Sequence, residues 1–511
     1  MFWMTVAGIF FTIVLLVAIY DVTQKKHAIL RNFPVLGHFR FLIESVGPEF
    51  RQYIVASNDE ERPFTRDQRS WVYASAKAEN NYFGFGSDSE MERSSNYLII
   101  NHNTFPMLAP HKGDPGYDPE YRLPCAKVLG GYRQRRKAFR PASVVNISGM
   151  SYGSLSAPAV AALNKGAALA GCLQSTGEGG ISPYHLHGGD LVWQIGTGYF
   201  GCRSSDGSFN LDKLRETIAR CPQVTSIEIK LSQGAKPGAG GILPQSKITK
   251  EIAEIRGIPM DRDCVSPAAH TAFRNADGLL DFVEQIADET GLPVGIKSAV
   301  GQMSFWYDLA RLIDTTNRAP DFITIDGGEG GTGAGPLVFA DHVARPFKKG
   351  FSLVERTLRE RGVSEKIVMI GSGKLGFPES ALFAFALGCD MVNVAREAML
   401  AVGCIQAQKC QTNHCPTGVA TQNRWLIRGL DPTLKSARVA NYVLNLRKEI
   451  IALSRACGVP HPALVTADDL EIMDGHFGAR TVTDLFGYEN GYGLPSEADR
   501  QQIVELMQSR R

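Results

Sequence analysis

Residues 367–399 read IVMIGSGKLGFPESALFAFALGCDMVNVAREAM. Ile367–Ile370 is a short apolar run, followed by a Gly-rich turn. Pro378 then opens a stretch of helix formers that runs to Leu387, and Gly388 closes it. Met391–Ala395 is strand-like again. Strand, turn, helix and strand in about thirty residues make one unit of a parallel α/β sheet.

The same unit recurs upstream. Strand candidates are Val144–Gly149, Cys172–Thr176, Gln194–Phe200, Thr225–Leu231, Val294–Ser298 and Phe322–Asp326, with the two above making eight. Helical patterns separate most of them: Ala157–Ala170, Leu211–Arg220, Leu279–Thr290, Phe305–Thr315 and Leu353–Arg361. A doubly wound open sheet shows a similar alternation, but a count of eight favours a (β/α)8 (TIM) barrel. The expected α/β barrel domain is 141–430. The run ARVANYVLNLRKEIIALSRACG after it makes 431–511 a helical C-terminal extension that caps the barrel.

Before the barrel the chain has two parts. Phe2–Tyr20 contains no charged side chain, and about 20 such residues suffice to cross a bilayer as a helix. Lys25, Lys26 and Arg31 follow, so the positive-inside rule places the body in the cytoplasm. Residues 1–22 are thus expected to be a single-pass transmembrane anchor. A cleaved signal peptide is the alternative, against which stand the missing basic n-region and small-x-small cleavage site. Residues 23–140 are expected to form a juxtamembrane arm and an N-terminal layer, punctuated by GFGSDSE (84–90) and HKGDPGYDPEYRLP (111–124).

The chain has 511 residues, 44% of them hydrophobic and 21% charged, as in ordinary folded proteins. Its net charge of +2, with no basic block, argues against nucleic acid as a partner. Ten scattered cysteines in so long a chain suit a reducing compartment rather than a disulfide scaffold.

Polar and Gly-rich segments follow the strands, where a barrel keeps its active site. The first strand ends in NISGMSYGSLS, where Met150, Ser151 and small neighbours leave room for a flat ring; a tight turn is the plain alternative. Glu178 stands among glycines in STGEGG, as a ligand-facing carboxylate or a simple turn acid. KLSQGAKPGAGG brings Lys230, Gln233 and Lys236 together, a set that suits a dicarboxylate or phosphate, or else a solvated loop. Arg256 and Arg262 lie in the excursion before the fifth strand, where arginines clamp a carboxylate or simply face solvent. Lys297 ends the fifth strand; it suits the reducible edge of a flavin or a Schiff base. Gly371, Ser372, Gly373, Ala395 and Arg396, after the last two strands, stand where barrels bind phosphate. No loop has the strand–GxGxxG–helix context of a dinucleotide site or a Walker A lysine.

Cys404, Cys410 and Cys415 lie within CIQAQKCQTNHCPTG, a C-x5-C-x4-C spacing. It matches neither the C-x2-C pairs of zinc sites nor a thioredoxin-like C-x-x-C. Three thiolates converging on iron–sulfur, a structural zinc, and three unrelated buried thiols all remain open from spacing alone.

Together MSYGSLS, STGEGG, IEIKLSQGAKPGAGG, DGGEGGTGA, GSGKLG and CQTNHCPTGVATQ, in that order, resemble the FMN-binding synthase domain of glutamate synthase over roughly residues 95–490. The resemblance implies FMN on the barrel and a [3Fe-4S] cluster on Cys404, Cys410 and Cys415. It implies 2-oxoglutarate held by Gln233, Lys236 and Arg256, with Glu178 as the acidic residue. Catalytic roles then fall to Glu178 and Lys236. FMN contacts fall to Met150, Ser151, Lys297, Gly371, Ser372, Gly373, Ala395 and Arg396.

The implied reaction is reductive amination of 2-oxoglutarate to L-glutamate. Electrons would come from a ferredoxin or an NAD(P)H-oxidising subunit. Residue 2 is Phe and the first cysteine is Cys125, so the N-terminal cysteine and amidotransferase domain of the long family members are not expected here, and ammonia would come from outside. A related FMN and iron–sulfur enzyme acting on another amine or 2-oxo acid, such as one forming N-methylglutamate, and a membrane-tethered redox subunit are the alternatives.

Overall fold

The computed structural model describes residues 2–47, 60–87, 89–489 and 491–509. Residues 48–59 of the expected arm lie outside the described residues. Eight strands close into a parallel barrel: β1 (Val145–Ile147), β2 (Gln174–Ser175), β3 (Leu191–Ile195), β4 (Val224–Lys230), β5 (Val294–Ser298), β6 (Phe322–Asp326), β7 (Val368–Ser372) and β8 (Met391–Val394). Closure is made where β8 pairs with β1, Val392 opposite Val145 and Val394 opposite Ile147.

β5 and β6 have the boundaries expected from sequence. β3 does not: it starts at Leu191 and stops at Ile195, so 196–200 is turn rather than strand. Gly196 and Gly198 weaken strand pairing there. Tyr199 has φ 48, and its N–H returns to the Gly196 carbonyl at 3.0 Å.

The first barrel helix, α5 (Ala157–Ala170), shows how local signals become packing. Ser156 caps its start, accepting from the Ala159 N–H, and Gly171 ends it in the left-handed conformation (φ 63). Its small residues admit a close neighbour. A Cβ on Gly166 would lie 2.6 Å from Val439 Cβ. Val439 belongs to α13 (Pro432–Ala456), the 25-residue cap helix. This helix packs against α5, α4 (Arg66–Lys77) and α11 (Pro378–Ala386) along the barrel's flank. The C-terminal extension also carries two antiparallel strands, Leu470–Met473 and Ala479–Thr481; the first stands at the centre of a three-stranded sheet, between the second and Leu98–Ile100 from the arm.

At the N-terminal ends of the strands, Cys125 and Leu129 pack on Phe322, Val368, Ile370 and Met391 and plug the barrel. Lys127 is buried there and pairs with Asp390 at 3.1 Å. That floor leaves the C-terminal ends of the strands as the mouth.

The helix α1 (Phe2–Thr23) has 22 residues and is long and apolar enough to cross a membrane. At 1.5 Å per residue it is about 33 Å long, against about 30 Å of hydrocarbon. Two short helices follow, α2 (Ala28–Asn32) and α3 (Gly37–Ser45).

Candidate active site

The mouth is organised around one carboxylate. Glu178 follows β2, and Gly196 and Gly241 leave space for it. A Cβ on either would stand 2.6 or 2.8 Å from its carboxylate oxygens. Lys230, the last residue of β4, places Nζ 2.7 Å from Glu178 Oε1 and 2.6 Å from Gln233 Oε1. Burial alone would raise the Glu178 pKa. The charge and hydrogen bond of Lys230, joined by Lys236 and Arg256, overcome this and hold it below the usual range. Glu178 is therefore an anion surrounded by three cations.

Lys236 and Arg256 are both buried, 5% exposed each. The Lys236 ammonium donates to the Ala334 carbonyl at 3.1 Å, on the segment after β6. Burial lowers its pKa, which Glu178 opposes and Lys230 reinforces. Arg256 ends α7 (Lys250–Arg256). Its Nη2 donates to the Tyr152 carbonyl at 2.9 Å, its guanidinium lies 5.3 Å from the centre of the Phe200 ring, and its buried Nε has no hydrogen-bond partner. Among the described residues neither cation has a carboxylate within 4.0 Å. Arg262 does not join them: its side chain is 75% exposed, and it lines a cavity of about 500 Å³ with Phe200, Arg203 and Cys264 that contains none of the mouth residues.

Lys297 stands beside Lys230 in the β4–β5 ladder and is buried. Its Nζ lies 3.5 Å from Asp326 Oδ1 and 3.4 Å from Ser148 Oγ. Asp326, at the end of β6, also accepts from the Gly234 N–H at 2.7 Å. Burial would raise its pKa, but Lys297, Ser372 and Gly234 hold it below the usual value. Sequence reading passed over Asp326 and saw only the glycines after it. An acid closing a strand opposite a lysine-ended strand was the available signal.

The segment after β1 places Met150 and Ser151 half-buried at the mouth. Ser151 Oγ accepts from the Gly179 N–H at 3.1 Å, tying the first two strand ends together. The segments after β7 and β8 are more closed than their glycines suggest. A Cβ on Gly371 would come within 2.8–2.9 Å of Leu375, Cys389 and Phe347, so this glycine serves side-chain packing. Gly373 (φ 126) abuts the Gly327 backbone, and Ser372 accepts the Gly327 N–H at 2.8 Å.

Ala395 precedes the short helix α12 (Arg396–Val402), whose first residue donates to the Glu329 carbonyl. Next to Arg396 is a cation that sequence reading missed, Lys374 (φ 59), in GSGKLG. Burial lowers both pKa values, and Arg396 depresses Lys374 further. Both lie over the ring of Phe64 from the arm, at 5.2 and 4.9 Å. Two mutually repelling, half-buried cations after adjacent strands suit a bound anion such as a phosphate group.

Phe64 also meets the cysteine loop. Gln406 accepts from its N–H at 3.1 Å and donates to its carbonyl at 3.0 Å. Burial pushes the Cys404 thiol up to about 12; the Gln406 N–H opposes this, and neighbouring Cys415 and Cys410 add to it. Burial also raises Cys410, with Cys415 adding and Lys247 opposing. The Lys247 amine donates to the carbonyls of Ser154 (2.6 Å) and Cys410 (3.3 Å). Three thiols that feel one another, with a buried amine beside them, suit thiolate ligation, because metals take the deprotonated thiol. Among the described residues no group of three or more His, Cys, Asp or Glu side chains is placed to hold a metal ion.

A model of the conserved region in glutamate synthase matches residues 127–460. The glutamate synthase large subunit-like protein YerD of Bacillus subtilis is 37% identical over 479 residues, 88% of this chain and 91% of that one. A glutamate synthase large subunit-like protein of Rhizobium meliloti is 30% identical over 385 residues, 72% of this chain and 83% of that one. The archaeal glutamate synthase [NADPH] of Methanocaldococcus jannaschii is 36% identical over 321 residues, 62% of this chain but 59% of the relative. With all eight barrel strands and the cysteine loop inside the matched region, this chain belongs to the glutamate synthase family.

Proposed function

We propose that the chain reductively aminates 2-oxoglutarate to L-glutamate with external ammonia, using FMN at the barrel mouth and a [3Fe-4S] cluster on Cys404, Cys410 and Cys415. One observation carries the reading: Lys236 and Arg256 are buried cations without a carboxylate partner among the described residues, beside an ionised Glu178. A dicarboxylate supplies the two missing negative charges. The name glutamate synthase [NADPH] of archaeal relatives supports the reaction class, although the chain spans only about 59% of their length.

When bound, FMN supplies the two-electron reductant for the C=N carbon, and the cluster supplies its electrons one at a time. The residues provide the rest. Lys236 and Arg256 fix the carboxylates and so orient the 2-oxo carbon. Glu178, held ionised by Lys230, is a weak base; its role is to attract and place the amine donor. Lys297 adds a buried positive charge at the mouth, where reduction of a bound flavin adds negative charge. Lys374 and Arg396 would hold the phosphate group of FMN, Met150 and Ser151 would back its ring, and the Ser372–Gly373 and Ala395 backbones would complete the phosphate end. Electrons come from a ferredoxin or an NAD(P)H-oxidising partner. The helix α1 crosses the membrane once, with the barrel on the cytoplasmic side.

The test is to purify the full chain anaerobically in detergent and measure flavin, iron and the EPR spectrum. Glutamate formation from 2-oxoglutarate and ammonium is then followed with chemically reduced ferredoxin. Zinc without iron sinks the cluster. FMN and iron with no glutamate formed sinks the substrate assignment.

A further inference from the structure

We propose that α3 is an interfacial helix that lies in the surface of an anionic phospholipid bilayer beside the exit of α1. This rests on the reading of α1 as a membrane span. The two faces of α3 differ in kind. Gly37 and Phe41 face α2: a Cβ on Gly37 would sit 3.0 Å from the Leu30 side chain, and the Phe41 ring lies 5.3 Å from that of His27. The opposite face carries Leu36, Phe39, Leu42, Ile43 and Val46, between 38% and 68% exposed. Their spacing is that of one helical stripe. Arg40 and Glu44 edge it on one side, paired at 2.7 Å.

The orientation is fixed, not incidental. Asp21, in the last turn of α1, is completely buried. Its carboxylate accepts from the Val35 N–H at 2.8 Å and bonds the His38 ring at 2.9 Å. Helix α3 is thereby tied to the end of the span, with its apolar stripe turned away from α2. Lipid fits this face better than a second copy for two reasons. Exposed Lys25 and Lys26 directly follow the span; Lys25 pairs with Asp431 at 3.1 Å, and Lys26 complements anionic headgroups. Trp425, 52% exposed, stands at the end of α2, donating to the Asn32 carbonyl at 3.1 Å, and suits the headgroup belt where such aromatics gather. A nine-residue helix of about 13.5 Å is too short to span and suited to lying in the plane.

The test places p-benzoylphenylalanine singly at Ile9, Phe39, Leu42 and Tyr307 in the full chain. Each variant is reconstituted in phosphatidylcholine–phosphatidylglycerol vesicles, irradiated and analysed by mass spectrometry. Ile9 reports the span, and Tyr307, exposed on a barrel helix, reports background. Lipid adducts at Ile9, Phe39 and Leu42 and none at Tyr307 are expected. Adding Leu36→Glu and Ile43→Glu should abolish the Phe39 adduct and leave that at Ile9. Adducts at Ile9 but none at Phe39 and Leu42, or crosslinks there to a second copy or another protein, overturn the proposal while the span stands. No adduct at Ile9 overturns both.

Discussion

The ammonium of Lys230 and the carboxylate of Glu178 are 2.7 Å apart, with side chains only 11% and 16% exposed. They come from β4 and the end of β2, with β3 between, so the pair locks two separated strand ends at the mouth. Removing one partner of a buried pair costs about 3–5 kcal/mol when the other is left uncompensated; Lys236 and Arg256 still offset Glu178 here, so the loss falls below that. Lys230→Met should therefore lower the thermal midpoint at pH 7 clearly, and Lys230→Met with Glu178→Gln should recover most of the loss. The Glu178 pKa is depressed in the folded state, so its contribution is present above the unfolded value of 4.5 and fades as pH falls through the folded value. Single and double variants melting together at pH 7 would contradict this.

Lys236→Ala and Arg256→Ala should weaken 2-oxoglutarate binding and leave flavin and iron content normal. A charge-assisted hydrogen bond contributes about 1.5–3 kcal/mol, roughly 10- to 150-fold in affinity. Flavin difference spectra during titration with 2-oxoglutarate measure this. Unchanged affinity in both variants would refute the carboxylate anchors.

Cys410→Ser should strip iron while the barrel persists. Cys410 is only half-buried and lies on a short 3-10 turn outside the barrel strands. The readouts are iron content, EPR and far-UV circular dichroism of the same sample. Full iron retention would show that Cys410 is no ligand.

The barrel was legible because VGIKS and FITID are bounded apolar runs, and the helices between strands carry their own start and stop signals. β3 was misplaced because GTGYF looks extended by composition, whereas its two glycines and Tyr199 (φ 48) turn the chain. The site was legible where a motif held several members of one network, as with Lys230, Gln233 and Lys236. Asp326 was missed because its meaning lies in Lys297 on the neighbouring strand and Gly234 on a distant loop. Lys374 was missed for a like reason, since its neighbours are Arg396, Pro63 and Phe64. Gly371 resembled a phosphate-loop glycine, although what demands its small size is Phe347, Leu375 and Cys389 closing around it.

Gly234→Ala should be among the most damaging single-methyl changes at the mouth. A Cβ there would overlap the carbonyl of Gly327, and the same residue's N–H holds Asp326 at 2.7 Å. Backbone would have to move, and losses above about 4 kcal/mol are expected only where such a mechanism operates. The expected result is a much lower melting temperature together with weakened flavin binding. Gly238→Ala, with nothing within 4 Å of its Cβ, is the comparison, although its φ of 74 adds modest strain. Equal melting temperatures for the two would show that the segment gives way easily.

His185 makes the stability of the fold depend on acid in a way that one substitution isolates. Its ring is fully buried, and Nδ1 accepts from the Ser182 N–H at 3.0 Å. Burial lowers its pKa from 6.5 to about 4, with the Thr176 and Ser182 backbones offsetting part of that. Above pH 6.5 the ring is neutral in both folded and unfolded chains. As pH falls below 6.5 the unfolded chain takes up the proton first, so stability drops until about pH 4, where the folded ring titrates too. At 1.36 kcal/mol per pKa unit the total is about 3 kcal/mol. His185→Asn keeps an acceptor near the Nδ1 position and removes the titration. The variant should be less stable than the parent at pH 7, and the gap should shrink steadily toward pH 4. Other acid-sensitive groups, including Glu178 and Asp326, are common to both chains and cancel in the difference. Thermal midpoints of the two proteins across pH 4–7 decide it, and parallel profiles would remove His185 from the account.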